Sequence, residues 1–152
     1  MSRVQTWHKL AVGGASAVVM AAALAAHFEG VRHQAYADVG GVATICYGHT
    51  HGVYPGMTAT QAECKAWLTA DMANSERYVR SVVGKQPDTR IAALTDACYN
   101  LGQSGCRKIL DRIAAGNVRG GCASLLRYDK AAGQVLPGLV QRRRAEYELC
   151  LQ

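Results

Sequence analysis

Three residues whose side chains suit acid and base chemistry follow one another in the first third of the chain: Glu29, Asp38 and Thr44. Eight residues separate Glu29 from Asp38, and five separate Asp38 from Thr44. Two carboxyl groups and a hydroxyl around one cleft suit glycosidic bond hydrolysis, in which one acid protonates the leaving oxygen and the other handles water or developing positive charge. The alternative is structural: Glu29 is a helix-end charge, Asp38 a turn former and Thr44 an exposed strand residue.

The segments around these residues predict a helix end followed by a β-hairpin. Residues 35–39 and 42–47 are short β-prone runs. Gly40 and Gly41 lie between them and mark a turn, because glycine tolerates positive φ. A hairpin that folds back on the helix end would bring the three residues together.

From residue 60 onward, apolar residues recur at helical spacing and predict a mainly helical lobe. Thr60 and Glu63 are spaced as a capping box, and Gly84, Gly102 and Gly116 stand where helices can end. The expected fold class is therefore α+β, with a small N-terminal β-hairpin lobe and a mainly helical C-terminal lobe. A cleft between two such lobes is a natural ligand site.

Residues 10–28 form an apolar segment without a formal charge, close in length to the ~20 residues of a bilayer-spanning helix. Arg3, His8 and Lys9 precede it, which places the amino terminus in the cytoplasm under the positive-inside rule. Ten of its 19 residues are Ala or Gly, so its membrane affinity is weak. Composition leaves four interpretations open: a cleaved signal peptide, a permanent anchor, a signal-anchor that is later released, and a buried helix.

The length of 152 residues suits one domain, and a hydrophobic content of 49% excludes a disordered chain. The formal net charge of +6 suits an anionic partner, such as nucleic acid, membrane headgroups or anionic cell wall. Nucleic acid is not expected, because the basic residues are dispersed and aromatic residues make up only 7% of the chain. We expect no cofactor.

Six cysteines, all beyond the apolar segment, are an even number in a small domain that would be exported. This count predicts up to three disulfides with fifteen possible pairings, and buried free thiols in a cytosolic protein are the alternative. Cys46, His49 and His51 superficially resemble a metal site, but a second ligand pair at zinc-finger spacing is missing, so no metal is expected.

Residues 29–50 read EGVRHQAYADVGGVATICYGHT and resemble the catalytic stretch of the phage lysozymes of glycoside hydrolase family 24. They have the family's order of E, eight residues, D, five residues, T, and the ending Tyr-Gly-His-Thr. The resemblance continues in CYNLGQSG at residues 98–105 and in GLVQRRRAEYELC at residues 138–150. Cys46 departs from the many members with Gly at that position. A Cys occurs there in exported members with amino-terminal signal-anchors, so the departure bears on compartment more than on chemistry.

The resemblance implies an endolysin muramidase, which hydrolyses the β-1,4 bond between N-acetylmuramic acid and N-acetylglucosamine in peptidoglycan and lyses the host at the end of phage infection. It implies a lysozyme-like fold in which Glu29 is the general acid, Asp38 positions or activates water and Thr44 assists. Asn100 and Gln103 are candidate sugar contacts. The competing interpretations are a lytic transglycosylase and a non-catalytic cell-wall-binding module on the same fold.

The resemblance also favours a signal-anchor that is later released. Residues 1–28 would then be a releasable membrane segment and residues 29–152 the lysozyme catalytic domain. The protein would sit in the host inner membrane through residues 10–28, with a cytoplasmic amino terminus, and would act as a periplasmic monomer after release. Glu29 directly follows Phe28, so anchoring would hold it at the lipid interface, away from the rest of the cleft.

For the six cysteines we expect the pairs Cys46–Cys64, Cys98–Cys106 and Cys122–Cys150. The first pair would join the hairpin to a helix, the second would close a short loop, and the third would join the last helices. Two interpretations of the arginine run at residues 142–144 stay open: an ion pair with an active-site carboxylate, or a helix surface in solvent.

Overall fold

The computed structural model describes residues 6–152, so Arg3, which contributes to the orientation argument, lies outside the described residues. Helices α1 to α6, a short 3-10 helix and strands β1 to β4 follow in this order: α1 (Thr6–Val12), α2 (Ala17–Glu29), β1 (Arg32–Ala37), β2 (Ala43–Cys46), α3 (Gln61–Val83), α4 (Asp88–Ala114), α5 (Val118–Ser124), the 3-10 helix (Leu125–Arg127), β3 (Lys130–Ala131), β4 (Gln134–Val135) and α6 (Pro137–Cys150). The fold class is α+β, as predicted.

The apolar amino-terminal segment is divided between two helices, α1 and α2. The break begins at Gly13 and Gly14, and Gly14 has a φ of 72°, a conformation that favours glycine. α2 packs against α4 and α3, and small residues on its inner face, such as Ala21 and Ala25, are completely buried. Within residues 6–152, no helix combines the length and the apolar character needed to cross a membrane.

Strands β1 and β2 form the predicted antiparallel hairpin, in which Tyr36 lies opposite Thr44. β1 begins before the β-prone run at residues 35–39, and it ends earlier, at Ala37, because the Asp38 side chain already closes the turn. Its Oδ1 accepts hydrogen bonds from the amides of Gly40 and Val42, both at 2.8 Å. The hairpin therefore fixes the orientation of the second candidate carboxylate.

Cys46 ends β2 with a φ of 61°, which lies in the left-handed region where glycine is common. Here Cys46 is joined to Cys64 near the start of α3, with their Cα atoms 5.0 Å apart. α3 itself begins with the predicted capping box, formed by Thr60 and Glu63. The disulfide and the cap together hold the hairpin against the helical lobe.

The long helix α4 contacts α2, α3, α5 and α6, and its residues 91–98 are all buried. The sequence predicted a helix end at Gly102. Gly102 is indeed non-helical, with φ 75° and ψ 164°, so α4 consists of two helical segments that meet at a bend there and together extend to Ala114. A disulfide between Cys98 and Cys106 spans the bend, with the two Cα atoms 5.1 Å apart.

Helix α6 begins with Pro137 in its first turn, where the missing amide hydrogen costs no helical hydrogen bond. Its last residue, Cys150, is joined to Cys122 of α5, with a Cα separation of 5.8 Å. The three disulfides are the pairs expected from the sequence. α6 directs Arg142 and Arg143 into the molecule, where both are buried, whereas Arg144 is exposed.

Candidate active site

Glu29 is the last residue of α2, and its carboxylate faces Arg142 of α6. Its Oε1 accepts a hydrogen bond of 2.6 Å from Arg142 Nη1. The Arg142 side chain is 3% exposed and the Glu29 side chain 29% exposed. Gly30 ends the helix with a φ of 67° and turns the chain towards β1. A buried cation therefore holds one oxygen of a carboxylate that still reaches solvent.

Arg142 is itself held by Asp96 in the buried part of α4. Its Nε and Nη2 donate to the two Asp96 oxygens at 3.0 and 2.8 Å, a bidentate pair of high geometric specificity. Burial alone would lower the pKa of Arg142. The attraction of Asp96, followed by that of Glu29 and Glu146, outweighs burial and raises this pKa, so the guanidinium stays charged.

A second buried pair lies beside the first. Arg143 Nη1 donates to both oxygens of Glu146, at 2.7 and 2.6 Å, and both side chains are fully buried. Burial, reinforced by repulsion from Asp96, raises the pKa of Glu146 well above its usual value. Arg143 also donates to Asn100 Oδ1, and Asn100 Nδ2 lies 3.5 Å from Glu29 Oε1.

Asp38 and Thr44 lie on the hairpin and make their hydrogen bonds within it. Thr44 is 4% exposed, which excludes the interpretation of an exposed strand residue, and its Oγ1 donates to the Val42 carbonyl at 2.9 Å. Among residues 6–152, neither side chain bonds directly to Glu29. The structure thus places Glu29 at the end of α2, where it is bonded to α6, and it places Asp38 and Thr44 on the β1–β2 hairpin. We call these two parts of the site the helix side and the hairpin side.

A hydrogen bond joins the hairpin side to α4 next to Asn100. The Tyr99 hydroxyl donates to the Tyr47 carbonyl oxygen at 2.6 Å. Burial, and then the negative charge of Asp71, raises the pKa of Tyr99, so the hydroxyl keeps the proton that it donates. Because Thr44 lies three residues before Tyr47, this bond limits movement between the Thr44 strand and α4.

The two candidate sugar contacts have different surroundings. Asn100 lies next to Glu29, before the bend of α4. Gln103 lies just after the bend and is exposed, and its backbone carbonyl accepts a 3.3 Å hydrogen bond from the Tyr78 hydroxyl. No hydrogen bond within the described chain connects the Gln103 side chain to Glu29.

The residues that superficially resembled a metal site have other partners. Cys46 is in the disulfide with Cys64, so it offers no thiolate. His49 Nδ1 lies 2.8 Å from Asp71 Oδ2, and its ring stacks on Trp67 with the centroids 4.9 Å apart. These contacts tie the hairpin side to α3.

Sequence reasoning missed the two buried acids, Asp96 and Glu146. Asp96 lies inside an apolar stripe of α4, where the pattern indicated core packing alone. Glu146 follows Arg142 and Arg143 by four and three residues, which is the spacing of neighbours on one helix face. The sequence did contain one signal for these residues, namely an acidic residue at an otherwise apolar position of a helix. Such a residue indicates a buried charge, and a buried charge requires an oppositely charged partner.

Comparison with known proteins identifies a family whose model matches most of the chain. Residues 26–146 match the family model described as "Phage lysozyme". The SAR-endolysin of Bacteriophage PS119 is 40% identical over 127 residues, covering 81% of this chain and 76% of that relative. The SAR-endolysin of Pseudomonas phage phiKMV is 37% identical over 147 residues, covering 92% of this chain and 90% of the relative.

Solved structures agree on the lysozyme-like fold. The active form of P1 phage endolysin Lyz superposes with a TM-score of 0.78 at 26% identity, covering 99% of this chain and 94% of the other. The secreted inactive form of the same endolysin superposes with a TM-score of only 0.53, covering 66% of this chain and 74% of the other. The arrangement described here is therefore closer to the active form.

Proposed function

Because the chain belongs to the phage lysozyme family and is a lysozyme-type glycoside hydrolase with the role of an endolysin, we propose that Glu29, Asp38 and Thr44 perform its reaction. The proposed target is the β-1,4 bond between N-acetylmuramic acid and N-acetylglucosamine in peptidoglycan. The observation that carries the proposal is the partly exposed Glu29 carboxylate, held through one oxygen by the buried Arg142.

Glu29 acts as the general acid, which protonates the glycosidic oxygen as the bond breaks. Arg142 and Asn100 both approach Oε1. Within residues 6–152, Oε2 accepts no hydrogen bond, so this oxygen is the one that can carry the proton to the sugar. Asn100 is also a candidate sugar contact, since its amide lies beside the acid.

Asp38 positions or activates the attacking water, and Thr44 assists. The Gly40 and Val42 amides occupy Asp38 Oδ1, which fixes the side chain and leaves Oδ2 for water. The Thr44 hydroxyl donates to the hairpin backbone, so its lone pairs can accept a hydrogen bond from the same water.

The test is Glu29→Gln, assayed on outer-membrane-permeabilised cells and on purified peptidoglycan. The amide keeps the shape of the side chain but cannot donate the proton, so we expect turnover to be lost while folding is retained. Glu148→Gln on the exposed side of α6 is the matched control and should remain active. Mass spectrometry of the wild-type digest separates hydrolysis, which gives reducing-end muramic acid, from transglycosylation, which gives anhydromuramic acid.

We further propose that residues 10–28 first hold the protein in the host inner membrane and that the released protein acts in the periplasm as a monomer. The SAR-endolysin names of the relatives support this proposal. The segment is rich in Ala and Gly, and it includes nearly the whole of α2, so anchoring would separate Glu29 from Arg142.

Two substitutions test the release without touching the packed face of α2. Ser16→Leu and Ala23→Leu raise the membrane affinity at positions that are exposed or partly exposed in the folded protein. We expect the double variant to stay in the membrane fraction and to delay lysis, while its detergent-extracted form keeps wild-type turnover. Unchanged release and lysis would contradict the proposal, and an amino terminus starting near Ala26 would indicate cleavage by signal peptidase.

A further inference from the structure

A pocket of about 230 Å³ lies between α4 and the 3-10 helix, and its lining does not include Glu29, Asp38 or Thr44. We call it the basic pocket, and its lining residues are Lys108, Arg112, Ser124, Arg127 and Tyr128. Three of these five residues are cationic and none is acidic. The lining also has no aliphatic side chain, which distinguishes it from the apolar pockets elsewhere on the surface.

In the part of the chain that the structure describes, no acidic side chain neutralises the cations of the basic pocket. Within residues 6–152, Lys108, Arg112 and Arg127 form no ion pair, whereas the neighbouring Arg107 pairs with Asp111 at 2.7 Å. Lys108 and Arg112 are four residues apart on α4, so they face each other on one side of the helix. Like charges at this spacing repel, and an anion bound between them would relieve the repulsion.

Successive contacts connect the basic pocket to the candidate acid. The backbone carbonyl of Tyr128 accepts a 3.0 Å hydrogen bond from Arg143 Nε. Arg143 then donates to Asn100, and Asn100 lies 3.5 Å from Glu29. This network joins the wall of the pocket to the surroundings of Glu29 through the side chains of Arg143 and Asn100.

We propose that the basic pocket binds carboxylates of the peptide stem that muramic acid carries; this inference rests on the proposed function. The sugars at the scissile bond are uncharged, whereas the peptide attached to muramic acid carries free carboxylates. The planar fork of Arg112 or Arg127 suits a carboxylate, and Lys108 adds a point charge. A membrane surface is the less favoured occupant, because the pocket is concave and offers no aliphatic side chain for insertion.

The experiment combines one double variant, Lys108→Gln with Arg112→Gln, and one chemical change in the substrate. The substrate is peptidoglycan, either native or with its carboxylates converted to amides by carbodiimide and ammonia. The matched control is Lys65→Gln with Lys85→Gln, which removes the same charge from exposed positions in and just after α3. Each full-length protein is assayed for KM and kcat on both substrates.

We expect the pocket variant to raise KM for native peptidoglycan about fivefold to tenfold with little change in kcat, as the loss of two charge-assisted contacts predicts. Amidation should raise the wild-type KM by a similar factor and should add nothing to the variant, because both changes remove the same interaction. The control variant should respond to amidation as the wild type does.

Three results would overturn the inference. The first is an equal KM change in both double variants, which would indicate a general charge effect. The second is a variant that loses as much affinity for amidated as for native peptidoglycan. The third is a variant with unchanged KM that loses only its binding to phosphatidylglycerol vesicles, which would assign the pocket to a membrane.

The failure of the proposed function gives a different pattern. If the wild type cleaves neither substrate, the proposed reaction is wrong. The basic pocket is then judged by binding alone, through co-sedimentation of Glu29→Gln, with and without the pocket substitutions, on native and amidated peptidoglycan. Equal co-sedimentation in all four combinations would reject the pocket as well.

Discussion

The disulfide between Cys98 and Cys106 should matter more for catalysis than for stability. Eight residues of straight α-helix span about 12 Å. The two Cα atoms are 5.1 Å apart, so the disulfide can exist only because α4 bends at Gly102. Asn100 lies inside the bridged segment and contacts both Glu29 and Arg143. The disulfide therefore fixes the bend that positions Asn100 beside the acid.

The length of the loop that each disulfide closes gives the expected loss of stability when that disulfide is removed. For a sequence separation of 8, loss of the Cys98–Cys106 bond should cost about 2.5 kcal/mol of unfolding free energy in the chain-entropy description. For the separation of 28 between Cys122 and Cys150, the corresponding cost is about 3.6 kcal/mol. The second disulfide joins α5 to the end of α6, outside the bridged segment that contains Asn100, and is the matched control.

The assay compares two double alanine variants, one for each disulfide, at a temperature where denaturant titration shows both to be folded. We expect the Cys98/Cys106 variant to be the more stable of the two and yet to lose roughly tenfold in turnover, because a displaced Asn100 disturbs the acid. The Cys122/Cys150 variant should keep most of its turnover. If the less stable variant is also the one with the lower turnover, the Cys98–Cys106 disulfide has no role at the site and the reasoning is wrong.

Three further predictions concern the charges and the cap. Arg142→Met should lower the unfolding free energy by about 3–5 kcal/mol in denaturant titration, because Asp96 loses its partner while buried. The raised pKa of Glu146 stabilises the fold fully below pH 4.5, and this contribution is lost as pH rises through the folded pKa. Glu146→Gln should therefore flatten the fall in stability above pH 4.5, and an unchanged slope would contradict the assignment. Thr60→Ala breaks the capping box with Glu63 and should cost about 1 kcal/mol without changing low-temperature turnover.

The sequence was sufficient for the features that local chemistry determines. Gly40 and Gly41 predicted the hairpin, the Thr60 capping box predicted the start of α3, and Gly84 predicted its end; the structure confirms all three. These features depend on backbone conformation and on side chains a few residues away, so a single sequence contains the necessary information. The site residues themselves were predicted from their spacing and from the resemblance, and their roles stay predictions.

The features that sequence reasoning missed depend on contacts between residues that are far apart in the sequence. Asp96 looks like an isolated exception in an apolar stripe until Arg142, distant in sequence, is placed opposite it. The spacing of apolar residues identifies the buried face of a helix, but it does not identify the residues that pack against that face. Such partners therefore cannot be predicted from the hydrophobic pattern.

The composition of the amino-terminal segment suits both states that we propose for it, the membrane-anchored state and the released, folded state. Lipid tails and a protein core are similarly apolar, so moving Met20 and Leu24 from one to the other yields little hydrophobic free energy. Folding must therefore be favoured by close packing and by polar contacts that lipid cannot offer. Ala and Gly weaken insertion and also let α2 approach its neighbours closely, while the Glu29–Arg142 ion pair forms only when α2 is in place. The same ion pair stabilises the folded state and positions the acid, so the proposed release and activation are one event.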